Sequence, residues 1–229
     1  MLLFPEKLPQ MPGYRVEGTY LAASQVGGDF YQVFRLPDSG LIVVLGDVSG
    51  KGLQAAMVVS IAIGAVRAIV KETGQPAEIL GRLNHELVGN LKSGFVTCFC
   101  ARIDAAGTVI MANAGHLSPW INGTEVSISG ALPLGILLES VYEAESFHLR
   151  DGDTLTIMSD GVVEARRERD GQLYGFDQLA MLLRSKPSAE EIARTAQCYG
   201  QEDDISVLQI TRLRVAELAS DPLQDVVTV

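Results

Sequence analysis

Apolar and polar positions along the chain follow two rhythms. Tyr14 to Leu21 alternates, with Val16, Gly18 and Tyr20 set against Arg15, Glu17 and Thr19, which predicts a half-buried strand. Phe30 to Leu36 and the continuous apolar run Leu41-Ile42-Val43-Val44-Leu45 predict two more, the second of them fully buried. Pro37-Asp38-Ser39-Gly40 between them is a turn cluster, so the two runs form an antiparallel hairpin. The run from Leu53 to Val70 is too long for one strand and free of proline, and predicts a buried helix. A second helix opens at Gln75-Pro76. Its Ile79, Leu80, Leu83, Leu87, Val88 and Leu91 recur at helical spacing, with His85 on the solvated side.

The second half continues in the same manner. Strands are predicted over Phe95 to Ile103 and Thr108 to Ala114, around the turn Asp104 to Gly107. Asn122-Gly123 signals a hairpin between Trp120-Ile121 and Val126. Ala144 to Leu149 alternates, and Thr154 to Ser159 is a further strand. Val162 to Arg167 predicts a short helix and Gly175 to Ser185 an apolar-striped one. Ser188 and Glu191 form a capping box for a helix that ends at Gly200. A strand from Ile205 closes the domain. Strands in runs, with helices grouped after them, indicate an α+β fold. The expected division is a lead-in over 1–13, one domain over 14–212 and a tail over 213–229.

Acidic residues mark the ends of these strands. Asp47 ends the buried run inside Gly46-Asp47-Val48-Ser49-Gly50-Lys51-Gly52, and Asp29 follows Gly27-Gly28. A turn centred on Asp38 places residue 29 opposite residue 47. Like charges directly opposite destabilise a strand pair unless a cation or a shared proton offsets them. Asp160-Gly161 ends another strand, and Asp203-Asp204 runs into the last one. Each Asp alone reads as a turn residue. Together, with flanking glycines and no adjacent basic run, they point to a hard divalent cation. The glycine-rich turn is not a P-loop: Leu45 stands where the first glycine belongs, and Gly52 where the Ser or Thr belongs. Lys51 reads as a surface lysine at a turn.

Charge and cysteine content narrow the function classes. Lys and Arg total 18 against 28 Asp and Glu, a net charge of -10, which argues against nucleic acid and anionic membranes. Leu53 to Val70 is interrupted by Gln54, Ser60, Gly64 and Arg67, so no membrane span is predicted. The N-terminal residues lack the charged-then-apolar pattern of a signal peptide. Cys98 and Cys100, two apart in a strand, share a face and read as buried free thiols, with a cytoplasmic location as the expectation. A zinc site with Cys198 lacks a second close cysteine pair.

Six motifs occur in order: Gly27-Gly28-Asp29-Phe30-Tyr31; Gly46 to Gly52 with Ala55-Ala56; Asn113-Ala114-Gly115-His116; Pro133-Leu134-Gly135; Ser159-Asp160-Gly161-Val162-Val163-Glu164-Ala165; and Asp203-Asp204-Ile205-Ser206. In this set the chain resembles the SpoIIE/RsbU branch of the metal-dependent PPM (type 2C) serine/threonine phosphatases, over roughly residues 8 to 212. The resemblance implies a four-layer α-β-β-α sandwich of two antiparallel sheets flanked by helices. It implies hydrolysis of phosphoserine or phosphothreonine by hydroxide activated at two Mn2+ or Mg2+ ions, without a covalent intermediate. Asp47 would bridge both ions, Asp160 and Asp203 would bind the first, and the Val48 carbonyl the second. Asp29 would hold the second ion's shell, mainly through water. The implied substrate is a phosphorylated STAS-domain, anti-anti-sigma-like partner-switching protein, and the helices at 53–91 are an expected regulatory and homodimer surface.

Three positions depart from the wider family pattern. Ser49 stands where the eukaryotic branch has a His, and Ser24 where it has a phosphate-gripping Arg. Gln32 stands where the closer branch has an acidic residue, which is expected to weaken the second ion's water shell. The general acid is thus unassigned. His116 is the acid–base candidate by residue type, against a packing or turn-capping role. Asn113 and Glu164 are expected to be structural, and His148 is given no role. The rival reading is a catalytically weak or inactive PPM-fold binding or scaffold module. A nucleotide-binding reading rests on the glycine turn alone.

Overall fold

The computed structural model describes all residues except 1–3, 6, 25–26, 92–93 and 215–229. Most of the predicted tail therefore lies outside the described residues. The strands are β1 (Tyr14–Leu21), β2 (Asp29–Arg35), β3 (Leu41–Val48), β4 (Val96–Ile103), β5 (Thr108–Ala114), β6 (Trp120–Ile121), β7 (Thr124–Glu125), β8 (Glu145–His148), β9 (Thr154–Met158) and β10 (Ile205–Arg212). Among the described residues the helices are α1 (Leu53–Ile69), α2 (Pro76–Leu87), α3 (Gly175–Arg184) and α4 (Ala189–Gly200), with a 3-10 turn at Asp160–Val162. One sheet runs β1-β10-β9-β6-β7 and the other β2-β3-β4-β5-β8, and all their pairings are antiparallel.

Three apolar layers hold the sandwich together. Val43, Leu45, Tyr31, Phe99, Leu155, Ile157, Leu208 and Ile210 pack between the sheets. Ile42, Val44, Cys98, Cys100 and Ala112 meet α1 and α2 through Val59, Val66, Leu80 and Leu83. Met158, Ile205 and Val207 meet α3 and α4 through Leu179, Leu183, Ile192 and Ala196. Both faces of β3 are therefore covered, and its sequence is continuously apolar instead of alternating. Met11 is also buried between the sheets, with Phe4 and Leu8 packed against that layer. Thus part of the segment read as a lead-in shares this core.

Several local signals take the predicted form. Asn122 and Gly123 have φ of 51° and 81°, the two positive values that a tight turn of the I′ type requires between β6 and β7. Ser188 caps α4 with a complete capping box to Glu191. Two expectations need correction. Helix α1 is an outer layer, not buried all round: Leu53, Met57 and Ile61 face outward at 73%, 61% and 42% exposure. The segment after Asp160 forms a single 3-10 turn, not a helix reaching Arg167, because Arg166 leaves it to bridge with Leu173.

Candidate functional site

The acidic strand ends meet at one rim of the sandwich. In the β2–β3 pair Asp29 lies directly opposite Asp47, and on the other side of β3 Asp47 lies opposite Thr97. Strand alternation puts Asp29 and Asp47 on the same face as Tyr31 and Leu45, which look into the space between the sheets. Asp160 and Asp203 come from the facing sheet, at adjoining ends of the neighbours β9 and β10. Those two ends are laced together. The Ser206 amide donates to Ser159 Oγ at 2.9 Å, and the Ser159 amide donates to the Ser206 carbonyl at 3.0 Å. A methyl group on Gly161 would stand 2.0 Å from the Asp204 carbonyl oxygen, so only glycine permits this approach.

Electrostatics shows the cost of the arrangement. Burial pushes the Asp47 carboxyl up to about 7, and the charges of Asp160, Asp203 and Asp204 add to the rise. Burial, then Asp47, drives Asp29 well above the usual carboxylate range. Burial, then Glu164 and Asp203, raises Asp160. The hydroxyls of Ser159 and Ser206 favour the charged form of Asp29 and lose to burial. Asp29 Oδ2 is buried without a hydrogen-bond partner, as is Ser206 Oγ.

Two observations test whether a divalent cation fits this rim. The first is the orphaned Asp29 Oδ2, a buried acceptor that a water or an ion would satisfy. The second is a cradle at Gly28: a methyl group there would stand 2.7 Å from the Val48 carbonyl oxygen and 3.1 Å from Asp47 Oδ1. Two oxygens thus converge on space that the absence of a side chain leaves open. The donors at residues 29, 47, 48, 160 and 203 are all oxygens, which suits Mg2+ or Mn2+. Among the described residues, no three acidic, thiol or imidazole side chains close into a complete ligand set. Asp203 is turned to Lys51, whose Nζ lies 3.0 Å from its Oδ2.

The remaining motif residues position this rim. His116 is a strut, not an acid–base group. Its Nε2 faces the Met158 carbonyl at 3.1 Å, which can only accept, so Nε2 carries the proton. Its Nδ1 then accepts from the Thr97 hydroxyl at 2.9 Å. Burial lowers its pKa to about 4 and keeps the ring neutral. The imidazole therefore links the strand beside Asp47 to the strand that ends at Asp160. Asn113 braces the same turn with both ends of its amide, accepting from the His116 amide at 2.8 Å and donating to its carbonyl at 2.9 Å. Ser49 ties down Phe95: its Oγ accepts from the Phe95 amide at 2.8 Å. Glu164 is exposed at the edge of the site.

Gln32 requires a correction. It shares the β2 face of Phe30 and Phe34, which packs on the helices, and so it points away from the rim. Its Oε1 accepts from Arg67 of α1 at 3.1 Å and 3.3 Å, and its Nε2 donates to the Tyr31 carbonyl at 2.8 Å.

Sequence reasoning assigned no distinct role to two positioning residues. Asp204 accepts from the Ala23 amide at 3.0 Å and the Gly28 amide at 2.8 Å, and so fixes the loop that delivers Asp29. Its signal was the Asp-Asp doublet. Asn84 in α2 is fully buried; it donates to the Leu137 carbonyl at 2.9 Å and accepts from the Gly135 amide at 2.8 Å. It thereby pins the loop carrying Pro133-Leu134-Gly135. No pattern in the sequence marks it apart from other helix residues.

Comparison with known proteins agrees with this architecture. The family model described as Stage II sporulation protein E (SpoIIE) matches residues 37–213. Phosphoserine phosphatase RsbU of Bacillus subtilis is 28% identical over 173 residues, 72% of this chain and 51% of RsbU. Protein IcfG of Synechocystis is 26% identical over 219 residues, 81% of this chain and 34% of IcfG. The chain therefore spans about half the length of one relative and a third of the other. A structure of the RsbU and RsbW domains of a Mycobacterium tuberculosis protein superposes with a TM-score of 0.77 at 26% identity, covering 93% of this chain and 64% of that one. The SiaA-PP2C domain of Pseudomonas aeruginosa shares the fold with a TM-score of 0.75 at 23% identity, covering 89% of this chain and 87% of that one. The two antiparallel sheets flanked by helices are the PPM phosphatase fold, and the chain belongs to the SpoIIE family.

Proposed function

We propose that this chain is a metal-dependent protein serine/threonine phosphatase. The observation that carries the reading is the opposed pair of Asp29, buried, and Asp47, half-buried, where burial first, and then the charges of Asp160, Asp203 and Asp204, push Asp47 up to about 7. A fold that only needed to be stable would not bury uncompensated like charges. In this reading Asp47, Asp160, Asp203 and the Val48 carbonyl would hold Mn2+ or Mg2+, with Asp47 shared between two ions and Asp29 supporting the second. When bound, such ions neutralise phosphoryl charge and lower the pKa of water towards neutrality.

The chain's own groups do the positioning. The neutral His116 ring keeps Thr97 and Met158 in register across the two sheets. The Ser159–Ser206 lacing keeps Asp160 and Asp203 at one end of their sheet. Burial and the facing Asp47 charge favour a proton on Asp29. That proton must leave when a cation arrives.

The substrate we infer is phosphoserine or phosphothreonine on a STAS-type partner-switching protein. Support comes from a relative named a phosphoserine phosphatase and from a structural neighbour described as the RsbU and RsbW domains of one protein. The exposed Leu53, Met57 and Ile61 of α1 suit the expected homodimer contact through 53–91. The test is manganese-dependent release of phosphate from p-nitrophenyl phosphate and from phosphoserine peptides. Asp47→Ala should abolish it. No turnover of either substrate at millimolar manganese overturns the reading. One contact favours an idle binding module instead: Lys51 supplies Asp203 with a cation without any metal. Such a module would bind its partner equally well in chelator.

A further inference from the structure

Lys51 sits in the glycine-rich turn after β3, at the heart of the acidic rim. Its Nζ lies 3.0 Å from Asp203 Oδ2 and 3.1 Å from the Glu202 carbonyl oxygen. The ammonium therefore holds two oxygens of the loop before β10. The other carboxylate oxygen of Asp203 accepts from the Asp204 amide at 2.8 Å. Both oxygens of Asp203 are thus occupied by the protein itself. Across the rim, by contrast, Asp29 Oδ2 is buried with no hydrogen-bond partner. Among the described residues, Asp203 is therefore the one proposed ligand that pairs with a protein cation.

The contact is cheap to break. The side chains of Lys51 and Asp203 are 68% and 49% exposed, and exposed ion pairs contribute at most about 1 kcal/mol. The lysine stem is long and free to swing into solvent. An ammonium and a divalent cation cannot share Asp203 Oδ2 without repelling each other.

We propose that Lys51 is a built-in competitor for the divalent cation at Asp203: its ammonium occupies the carboxylate oxygen that the ion must take, and leaves when the ion binds. This rests on the reading of the rim as a metal centre. The role makes Lys51 a residue that sets cation affinity, separate from any contact with substrate. It also gives the turn two states, one with Lys51 on Asp203 and one with Lys51 released toward the phosphate approach.

The experiment is a titration of Mn2+ into the metal-free protein by calorimetry, at low salt and neutral pH. It compares wild type, Lys51→Gln, Asp203→Asn and the double variant. Lys51→Gln should bind the ion about tenfold more tightly, since both competition and charge repulsion are removed. The gain should vanish on the Asp203→Asn background, because the competitor then has nothing to compete for. Lys51→Arg should behave as wild type. Unchanged or weaker binding by Lys51→Gln overturns the inference and leaves the metal centre standing. A wild type that binds no manganese, with Lys51→Gln equally silent, overturns the inference and the metal-centre reading together. Circular dichroism of each variant, all changed at exposed positions, confirms that the fold is intact.

Discussion

Asp29 and Asp47 face each other across the β2–β3 pair, and the Oδ2 atom of Asp29 is buried with no hydrogen-bond partner. Burial and the facing Asp47 charge raise Asp29, while burial and the charges of Asp160, Asp203 and Asp204 raise Asp47. The arrangement is unfavourable for an empty protein and favourable for one that holds a cation. The following predictions measure that difference.

Asp47→Asn should separate stability from function. It removes the half-buried member of the opposed like-charge pair, so the metal-free variant should unfold at a temperature a few degrees higher, on the order of 1 kcal/mol more stable. The same change should remove manganese binding. Thermal unfolding in chelator, beside calorimetry with Mn2+, reads both. A variant that is less stable in chelator would show that the pair is not in conflict.

Metal binding should strengthen with pH through neutrality. The Asp47 carboxyl is raised to about 7, so below that pH an incoming ion must displace a proton. Affinity should fall by up to about tenfold per pH unit on the acid side and level off above the pKa. The stability of the metal-free protein follows the opposite sign. A carboxyl whose folded pKa is raised gives its contribution in full below the unfolded value near 4, and loses it as pH rises through about 7. Chelated protein should therefore lose stability between those pH values, and manganese should restore it. Affinity that is flat from pH 6 to 8 would contradict this.

His116 has the reverse linkage. Its folded pKa is lowered to about 4 from an unfolded value near 6.5, so its contribution is present above 6.5 and is lost as pH falls towards 4. The loss amounts to about 3 kcal/mol in the fully buried limit. Comparing wild type with His116→Gln across that window isolates the effect from the opposing carboxylates. His116→Ala should cost roughly 2–4 kcal/mol at neutral pH, since it leaves the Thr97 hydroxyl and the Met158 carbonyl unpaired. An unchanged pH profile of phosphate release in a folded His116→Gln would agree with a strut and not with a general acid.

Gly28→Ala should act on the cradle. The added methyl would crowd the Val48 carbonyl and Asp47 Oδ1, at 2.7 Å and 3.1 Å. Manganese binding should weaken by at least about tenfold, while the unfolding temperature in chelator changes by only a few degrees. Equal losses in both would mean that the methyl disturbs the strand end and not an ion site.

Much of this molecule was legible before any coordinates. The two-residue rhythm of β1, the turn at Pro37 to Gly40 and the capping box at Ser188 are local signals, and local physics settles them. The Asp29–Asp47 register follows from them by counting, because the loop length fixes which residues oppose. The side of β2 on which Gln32 lies was equally countable, and its assignment beside the rim overlooked that count. The helix expected through Arg167 failed for a different reason. Val162, Val163 and Ala165 do pack into the α3–α4 layer, but the backbone at Arg166 pairs with Leu173, and a short apolar run does not reveal where such a pairing ends it.

The sequence by itself determined the elements, their order, the acidic strand ends and the family they resemble. These depend on residues near each other in the chain, or on motifs readable one at a time. Only the tertiary structure decided what meets what across the sandwich. It joined His116 to Thr97 and Met158, Asp204 to the Gly28 amide, Asn84 to the 135–138 loop and Lys51 to Asp203. Such contacts depend on how two sheets stack and on the direction each side chain takes there. Neither has a periodicity that a linear pattern can record.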